Sequence, residues 1–229
     1  MAFDTMEKVR KGKGLTEEQE KIMNNLDLPE WYIDSCKKIK YMFPKAHAVA
    51  YVMLSFRIAY YKLNYPLAFY ATYFTIKLND FNGENIIEGP NFLKNRIKTL
   101  REIEKPTAKD KGEIRVSEVA LEMYARGFEF SPADLYKSKS SKFTIENEKI
   151  RMPLRAIPGI GENCANNIEE EAQKSKFLSI EDFSKRTKAG NSVISILQKN
   201  GMLVDLDETN QISLFNFWKL VILLICVII

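Results

Sequence analysis

The chain has 229 residues, 45% hydrophobic and 28% charged, which is enough for a sizeable core beneath an extensive polar surface. Its net charge of +4 is compatible with a polyanionic partner but is weak evidence for one. Three widely separated cysteines and a single histidine do not supply the ligands of a structural zinc site, so we expect reduced thiols in a cytoplasmic protein. The charged opening, "MAFDTMEKVRKGKG", lacks the apolar run of a signal peptide.

The first 105 residues are predicted to be helical. In "GLTEEQEKIMNNL", Thr16 is a candidate N-cap and Gln19 has the spacing of a capping box. The stretch "AHAVAYVMLSFRIAYYKL" (46–63) is apolar almost all round, which predicts a helix buried in a large body. Pro66 suits the first turn of the following helix. A basic helix, "NFLKNRIKTLREIEK", comes after a polar stretch.

The second half of the chain has a different character. Pro106 and Gly112 flank a predicted linker, and "EIRVSEVALEMYARGFEF" predicts a helix that stops near Gly127. The alternation in "KFTIENEKIRM" predicts a small β-hairpin. The predicted fold class is therefore mostly α with one small β-hairpin.

Two more helices are predicted before residue 202. Ser179 is a good N-cap with Asp182 at the capping-box position, and Leu178 and Phe183 have the spacing of a hydrophobic staple. The last helix, "SVISILQKNG", is expected to end at Gly201.

The stretch "IPGIG" (157–161) leads into a predicted helix, "ENCANNIEEEAQ". A helix N-terminus attracts anions, and Gly159 and Gly161 permit a tight turn and a close approach of the ligand. Four apolar residues would hold the turn and the helix against the core: Ile157, Ile160, Ala165 and Ile168. This is the helix-hairpin-helix pattern, which contacts a nucleic-acid phosphate without reading sequence. The alternative is a helix-capping turn that binds nothing.

Three basic runs accompany this pattern: "KVRKGKG" near the start, "KKIK" at 37–40 and "KSKSSK" at 137–142. Each alone is typical of a solvated face. Together with a phosphate-binding turn, they indicate an electrostatic footprint along a nucleic-acid backbone.

Catalytic motifs are absent from the sequence. One histidine cannot supply a catalytic triad, and no phosphate-binding loop of the P-loop type is present. "DLD" at 205–207 has the residue types of a Mg²⁺ site, but it follows a helix end and is not expected to bind metal. Lys45 and His47 in "FPKAHAVAY" attract more interest, although a histidine beside a buried helix is more often structural.

Several segments resemble the end of the PolC-type α subunit of bacterial DNA polymerase III. They include "VRKGKGLTEEQE", "FPKAHAVAYVMLSFRIAYYKLNYPLAFYATYFT", "ALEMYARGFEF", "DLYKS" and "IPGIG", and the resemblance covers residues 2–215 in order. It implies four regions: a C-terminal part of the fingers domain (1–105), a helix-hairpin-helix duplex-binding domain (106–207), a sliding-clamp-binding peptide (208–216) and an atypical hydrophobic tail (217–229).

Particular residues have expected roles. Within the fingers that the resemblance implies, we expect Lys45 and His47 near the incoming triphosphate, where positive charge would stabilise the phosphates. The helix-hairpin-helix pattern puts Gly159, Ile160 and Gly161 at the nucleic acid. The resemblance implies that Gln211, Leu214 and Phe215 bind the clamp. A second hairpin, within "EDFSKRTKAGNSVISILQKNGML", lacks the paired glycines, so packing or weak binding is expected there.

The implied activity is template-directed dNTP addition by a replicative DNA polymerase. The catalytic aspartates that hold Mg²⁺ would lie in a palm domain that this sequence does not contain, so the chain alone is expected to be inactive and to need no cofactor. Expected partners are duplex DNA, the incoming dNTP and the sliding clamp, without a membrane. The alternatives are a stand-alone helix-hairpin-helix DNA-binding protein and a tail-anchored membrane protein, the latter on 217–229 alone.

Overall fold

A computed structural model describes residues 2–210 of the chain. The described residues belong to two compact units, one up to Tyr60 and one from Tyr61 onward. The described part is α-helical with one three-stranded sheet, which confirms the predicted fold class. The boundaries predicted near residues 105 and 207 separate proposed functions rather than compact units, and they stay predictions.

The first unit is built from helices. They are α1 (Ala2–Arg10), α2 (Glu17–Asn25), α3 (Glu30–Lys38) and most of α4 (Lys45–Asn64). The Thr16 hydroxyl accepts a hydrogen bond from the Gln19 amide, and the Gln19 side chain accepts one from the Thr16 amide. The predicted capping box is therefore confirmed, and it fixes the start of α2. The core of this unit is small and consists of Val9, Met23, Ile33 and Cys36.

Helix α4 has no buried residue, so the predicted burial of 46–63 is wrong for the described part of the chain. The core of the first unit comes from α1, α2 and α3 alone. Apolar side chains of α4 such as Val52 and Phe56 consequently remain exposed. An apolar sequence predicts that a helix can be buried, but burial also requires a neighbouring surface.

The second unit begins with helices α5 (Pro66–Ile76), α6 (Gly83–Ile87), α7 (Pro90–Arg101) and α8 (Ala108–Ala125). A short 3-10 helix, Leu78–Asp80, follows α5. Pro66 lies in the first turn of α5, as predicted. These helices enclose a core rich in aromatic residues, including Tyr70, Phe74, Phe81 and Phe130.

Gly112 lies inside α8 rather than at the end of a linker, so that prediction is wrong. A capping box between Thr107 and Asp110 starts the helix before the glycine is reached. The glycine is needed for space: a Cβ there would lie 2.3 Å from Oδ1 of Asp80. The predicted stop of the helix near Gly127 is confirmed, since α8 ends at Ala125 and Gly127 has φ +82°.

The sheet contains β1 (Phe130–Ser131), β2 (Thr144–Glu146) and β3 (Lys149–Arg151). Strands β2 and β3 are antiparallel with Ile145 opposite Ile150, which confirms the predicted hairpin. Strand β1 pairs in parallel with β3 and was not predicted. The sheet leads into a second 3-10 helix, Leu154–Ala156.

The chain ends its described part with α9 (Glu162–Lys174), α10 (Ile180–Thr187) and α11 (Asn191–Lys199). These three helices share a second core with residues of the sheet-to-helix connection. Gly201 has φ +70° and lies just past the end of α11, as predicted.

The start of α10 is only partly as predicted. The Ser179 hydroxyl accepts a hydrogen bond from the Asp182 amide, so the N-cap is confirmed, whereas the Asp182 carboxylate accepts from the Leu178 amide instead of closing the box. The predicted staple is wrong, because Leu178 is 75% exposed and Phe177 packs on Phe183 at a ring distance of 5.0 Å. Ser179 is extended, so side chains alternate and Phe177 points inward with Ser179.

Candidate nucleic-acid interface

The first candidate turn connects the 3-10 helix Leu154–Ala156 to α9. The Ile160 amide donates a hydrogen bond to the Ile157 carbonyl at 3.3 Å, which closes a β-turn over Pro158 and Gly159. Gly159 has φ +92°, the positive value that a type II turn has at its third position, and proline is common at the second position of such turns. Glycine is therefore the residue that this turn favours.

Apolar residues fix this turn as the sequence predicts. Ile157 and Ile160 are each 6% exposed and belong to the second core of the unit. Ala165 and Ile168 hold α9 against the same core and are fully buried. The backbone of the turn is consequently anchored from both sides, while Pro158 and Gly159 lie at the surface.

Gly161 has a different role from Gly159. It is the N-cap of α9 with φ −76°, a conformation that any residue adopts. No side chain caps the first amides of the helix, and no atom lies within 4 Å of the position of an added Cβ. The free protein therefore does not require glycine here, but an anion approaching these amides would.

The connection between α10 and α11 repeats this backbone geometry. Lys188 has φ +58°, Ala189 is 4% exposed, and Gly190 is the N-cap of α11 with φ −77° and ψ 167°. For comparison, Gly161 has φ −76° and ψ 161°. Gly190 also lacks a side-chain cap and has open space at its Cβ position.

Sequence reasoning missed the equivalence of the two turns because a lysine replaces the first glycine. Lys188 adopts the left-handed conformation that glycine usually supplies. A periodic signal was nevertheless present: seven residues after each capping glycine stands a fully buried aliphatic residue, Ile168 in α9 and Leu197 in α11. The second hairpin therefore presents an uncapped helix N-terminus with a cation beside it.

The basic segment 137–142 lies against the approach to the first turn. The Leu154 and Arg155 amides donate to the carbonyls of Lys139 and Ser140 at 2.9 and 3.0 Å. The Lys139 ammonium lies 3.2 Å from Glu169, so part of this basic charge is already paired. The other two basic runs fall in the first compact unit.

A polar cleft of about 450 Å³ adjoins the first turn. The turn residues form one wall, and Arg96, Glu113 and Arg155 are among the residues of the other walls. The Arg96 guanidinium donates to the buried Glu113 carboxylate at 2.9 Å, and this hydrogen bond raises the pKa of Arg96. Arg155 donates to the side-chain oxygen of Asn79 at 3.1 Å. Sequence reasoning did not single out Arg155, because an isolated arginine carries no pattern.

Other groups near the turn offer no chemistry of their own. Burial raises the pKa of the Cys164 thiol in α9, which disfavours the reactive thiolate. Among residues 2–210, no group of three or more His, Cys, Asp or Glu side chains could hold a metal ion. In the "DLD" stretch, the Asp207 carbonyl accepts a hydrogen bond from the Ile180 amide at 2.8 Å and so helps to start α10.

Lys45 and His47 lie at the start of α4 in the first unit, and both are exposed. The His47 ring lies between Phe43 and Tyr51, at ring distances of 5.0 and 4.5 Å. His47 is therefore part of an exposed aromatic cluster and not a buried structural histidine. The clamp residues Gln211, Leu214 and Phe215, and the tail 217–229, lie outside the described residues.

No helix within residues 2–210 is both long enough and apolar enough to span a membrane.

Comparison with known proteins agrees with this geometry. Residues 127–212 match the family model described as "Helix-hairpin-helix motif", which covers both turns. The C-terminal half of the chain therefore contains a helix-hairpin-helix motif.

The chain as a whole resembles proteins named "DNA polymerase III PolC-type". It is 49% identical over 215 residues to that of Thermotoga maritima, which is 94% of this chain and 16% of the relative. It is 50% identical over 216 residues to that of Caldanaerobacter subterraneus subsp. tengcongensis, and 48% identical over 216 residues to that of Clostridium perfringens, in each case 94% of this chain and 15% of the relative.

The chain is therefore homologous to a segment of PolC-type DNA polymerase III, which confirms the predicted resemblance. It spans 15 to 16% of the length of these relatives.

Proposed function

We propose that this chain holds duplex DNA, through two helix-hairpin-helix turns, as a segment of a replicative DNA polymerase. In this proposal residues 106–207 form the duplex-binding domain and residues 1–105 contribute to the fingers that close over the incoming dNTP. The observation that carries the proposal is the repeated turn. In each turn a buried apolar residue, Ile160 or Ala189, is followed by a glycine N-cap, Gly161 or Gly190, at a helix N-terminus without a side-chain cap.

Each turn would hold one phosphate. The first amides of α9 and α11 point out of the helix ends, and the helix dipole adds a partial positive charge at the same place. Gly161 and Gly190 leave room for the phosphate oxygens to reach these amides. At the second turn, Lys188 adds a full positive charge at the position that Gly159 occupies in the first turn.

Such contacts are independent of base sequence. Backbone amides and helix ends meet phosphates, which carry no sequence information, and so they position a protein on the duplex without selecting a site. This is the property that a polymerase needs, because it must hold every product that it makes.

The remaining contacts are proposed from the resemblance and the surface chemistry. Lys45 and His47 are exposed cationic or titratable groups that would approach the triphosphate of the incoming nucleotide, where positive charge stabilises the transferred phosphates. Gln211, Leu214 and Phe215 would dock as an extended peptide in pockets of the sliding clamp. Nucleotidyl transfer itself would use Mg²⁺ held by palm residues of a complete polymerase, and the setting would be the cytoplasm.

The competing function is that of a stand-alone, non-catalytic DNA-binding protein. The repeated turn supports this function equally, whereas the 94% coverage by PolC-type relatives favours the polymerase. Adding the chain to a PolC-type polymerase that lacks the corresponding segment separates the two: restored primer extension supports the polymerase role, and binding without restoration supports the stand-alone role.

Duplex binding is tested by fluorescence anisotropy of the full chain with labelled duplexes of unrelated sequence. We expect equal affinities for these duplexes and a weaker affinity at higher salt. Strong preference for one sequence, or no binding to any of them at low salt, would contradict the proposal.

A further inference from the structure

An ion pair lies at the edge of the first turn, where the proposed phosphate would bind. Glu162 is the first residue of α9 and follows Gly161 directly, so its carboxylate is carried at the helix end that attracts anions. Its Oε2 atom lies 3.4 Å from Nη1 of Arg155.

The two partners are restrained very differently. The Arg155 side chain is 22% exposed, and its guanidinium also contacts the Asn79 side-chain oxygen at 3.1 Å and the Ser141 hydroxyl at 3.4 Å. The Glu162 side chain is 63% exposed. Arg155 is therefore held in place on the cleft wall, whereas Glu162 can turn into solvent at little cost.

We propose that Glu162 competes with the DNA phosphate for Arg155, so that a phosphate bound at the first turn replaces Glu162 as the partner of Arg155. This inference rests on the duplex binding proposed above and assigns regulation to the same site. An exposed ion pair contributes little stability, whereas an arginine and a phosphate form strong charge-assisted hydrogen bonds. The exchange therefore favours the phosphate, but the carboxylate reduces its net gain.

The consequence is that Glu162 limits the affinity of the first turn for the DNA phosphate. A polymerase that moves along its product must release each phosphate as readily as it binds the next. Glu162 lowers the cost of release, since Arg155 regains a partner when the phosphate leaves. Arg155 would bind the phosphate directly, whereas Glu162 would act only through Arg155.

Glu162→Gln in the full chain is the direct test, with duplex affinity measured by anisotropy at low salt. The exposed pair is expected to hold Arg155 by about 0.2–1 kcal/mol, so its removal should tighten binding by about 1.4- to 5-fold. In an Arg155→Gln background the same change should bring no gain. A matched control is Glu129→Gln, just before β1, which removes an equal charge from a similarly exposed carboxylate paired with Lys149 and should leave affinity unchanged.

Arg155→Gln also loses the contact with Asn79, so thermal unfolding is measured for each variant and Arg155→Lys serves as the charge-conserving alternative. If Glu162→Gln increases duplex affinity equally in the wild-type and Arg155→Gln backgrounds, the Glu162 carboxylate simply repels the DNA phosphates. This result would overturn the inference. So would an unchanged or weaker affinity of Glu162→Gln.

Failure of this inference is distinguishable from failure of the proposed function. If Gly161→Val weakens binding while Glu162→Gln has no effect, only the competition is overturned. If the wild-type chain binds no duplex, or Gly161→Val binds like the wild type, the phosphate site and the competition both fall.

Discussion

Replacing Gly159 and Gly161 separately distinguishes a glycine that the fold needs from one that the ligand needs. Gly159 has φ +92°, and an added Cβ would lie 2.6 Å from Cδ1 of Ile196. Left-handed backbone costs an ordinary residue about 1–2 kcal/mol, so Gly159→Val should lower the free energy of unfolding by at least that amount.

Gly161→Val should leave the free energy of unfolding nearly unchanged. Gly161 has φ −76°, and nothing lies within 4 Å of an added Cβ. Loss of glycine at an N-cap costs under about 1 kcal/mol, and the smaller entropy of the unfolded chain offsets about 0.4–1 kcal/mol of this.

Gly161→Val should weaken duplex binding although it leaves the stability of the fold nearly unchanged. The valine side chain at position 161 would occupy the space in front of the α9 amides and exclude the phosphate. Loss of a hydrogen bond to a charged group is worth about 1.5–3 kcal/mol, so Gly161→Val should weaken binding by about tenfold or more.

Urea unfolding followed by circular dichroism and anisotropy with a labelled duplex provide the two readouts. The cradle interpretation is refuted if Gly161→Val binds like the parent chain while remaining folded. It is equally refuted if Gly161→Val loses as much stability as Gly159→Val, because a side chain at position 161 would then not fit the folded chain without strain.

Three further predictions concern the core, the activity and the clamp. Ile168→Ala should destabilise the chain by about 2–5 kcal/mol because Ile168 is fully buried, whereas Leu178→Ala, at a side chain 75% exposed, should change the free energy of unfolding by less than about 0.5 kcal/mol; urea unfolding checks both. The pure chain should incorporate no nucleotide on a primed template with Mg²⁺, and robust extension would show that it holds metal-binding carboxylates after all. A peptide of residues 207–216 should bind the sliding clamp more tightly than the full chain does, as measured by calorimetry. Leu214→Ala with Phe215→Ala in this peptide should abolish binding, since a buried aromatic anchor contributes about 2 kcal/mol or more. Unchanged binding by the double variant would show that these residues do not form a clamp-binding motif.

The sequence predicted those features that depend on neighbouring residues. The capping box of Thr16 and Gln19 is local chemistry, and so are the β2–β3 hairpin and the turn around Gly159. Each is specified by a few residues with strong conformational preferences, which packing elsewhere does not override.

Features that depend on tertiary contacts were mispredicted or missed. The choice of Phe177 over Leu178 depends on which side of an extended segment faces the core. The burial of α4 depends on a surface that the described residues do not provide. Lys188 adopts a left-handed conformation that lysine does not favour, and the residues that hold this turn in the second core lie on both sides of it, Phe183 before and Ala189 after.

The sequence singled out some residues of the candidate site and not others, and their role in binding stays a prediction. Gly159, Ile160 and Gly161 were found because paired glycines before a helix are a recognisable pattern. The second hairpin was also predicted, but its likeness to the first turn is visible only in the structure, because Lys188 replaces the first glycine. Arg155 was not predicted, because its role depends on its contacts with Asn79 and Glu162.

The salt dependence of duplex binding tests the central claim, that two turns each hold a phosphate, most directly. It should be measured for the full chain and for a variant that combines Gly161→Val with Gly190→Val, both of which have open space at the Cβ position. Loss of both phosphate contacts should weaken binding, and the slope of log affinity against log salt should become shallower by at most about 0.9 for each phosphate that is no longer neutralised, or about 1.8 in all. A folded double variant with the slope and affinity of the parent chain would contradict it.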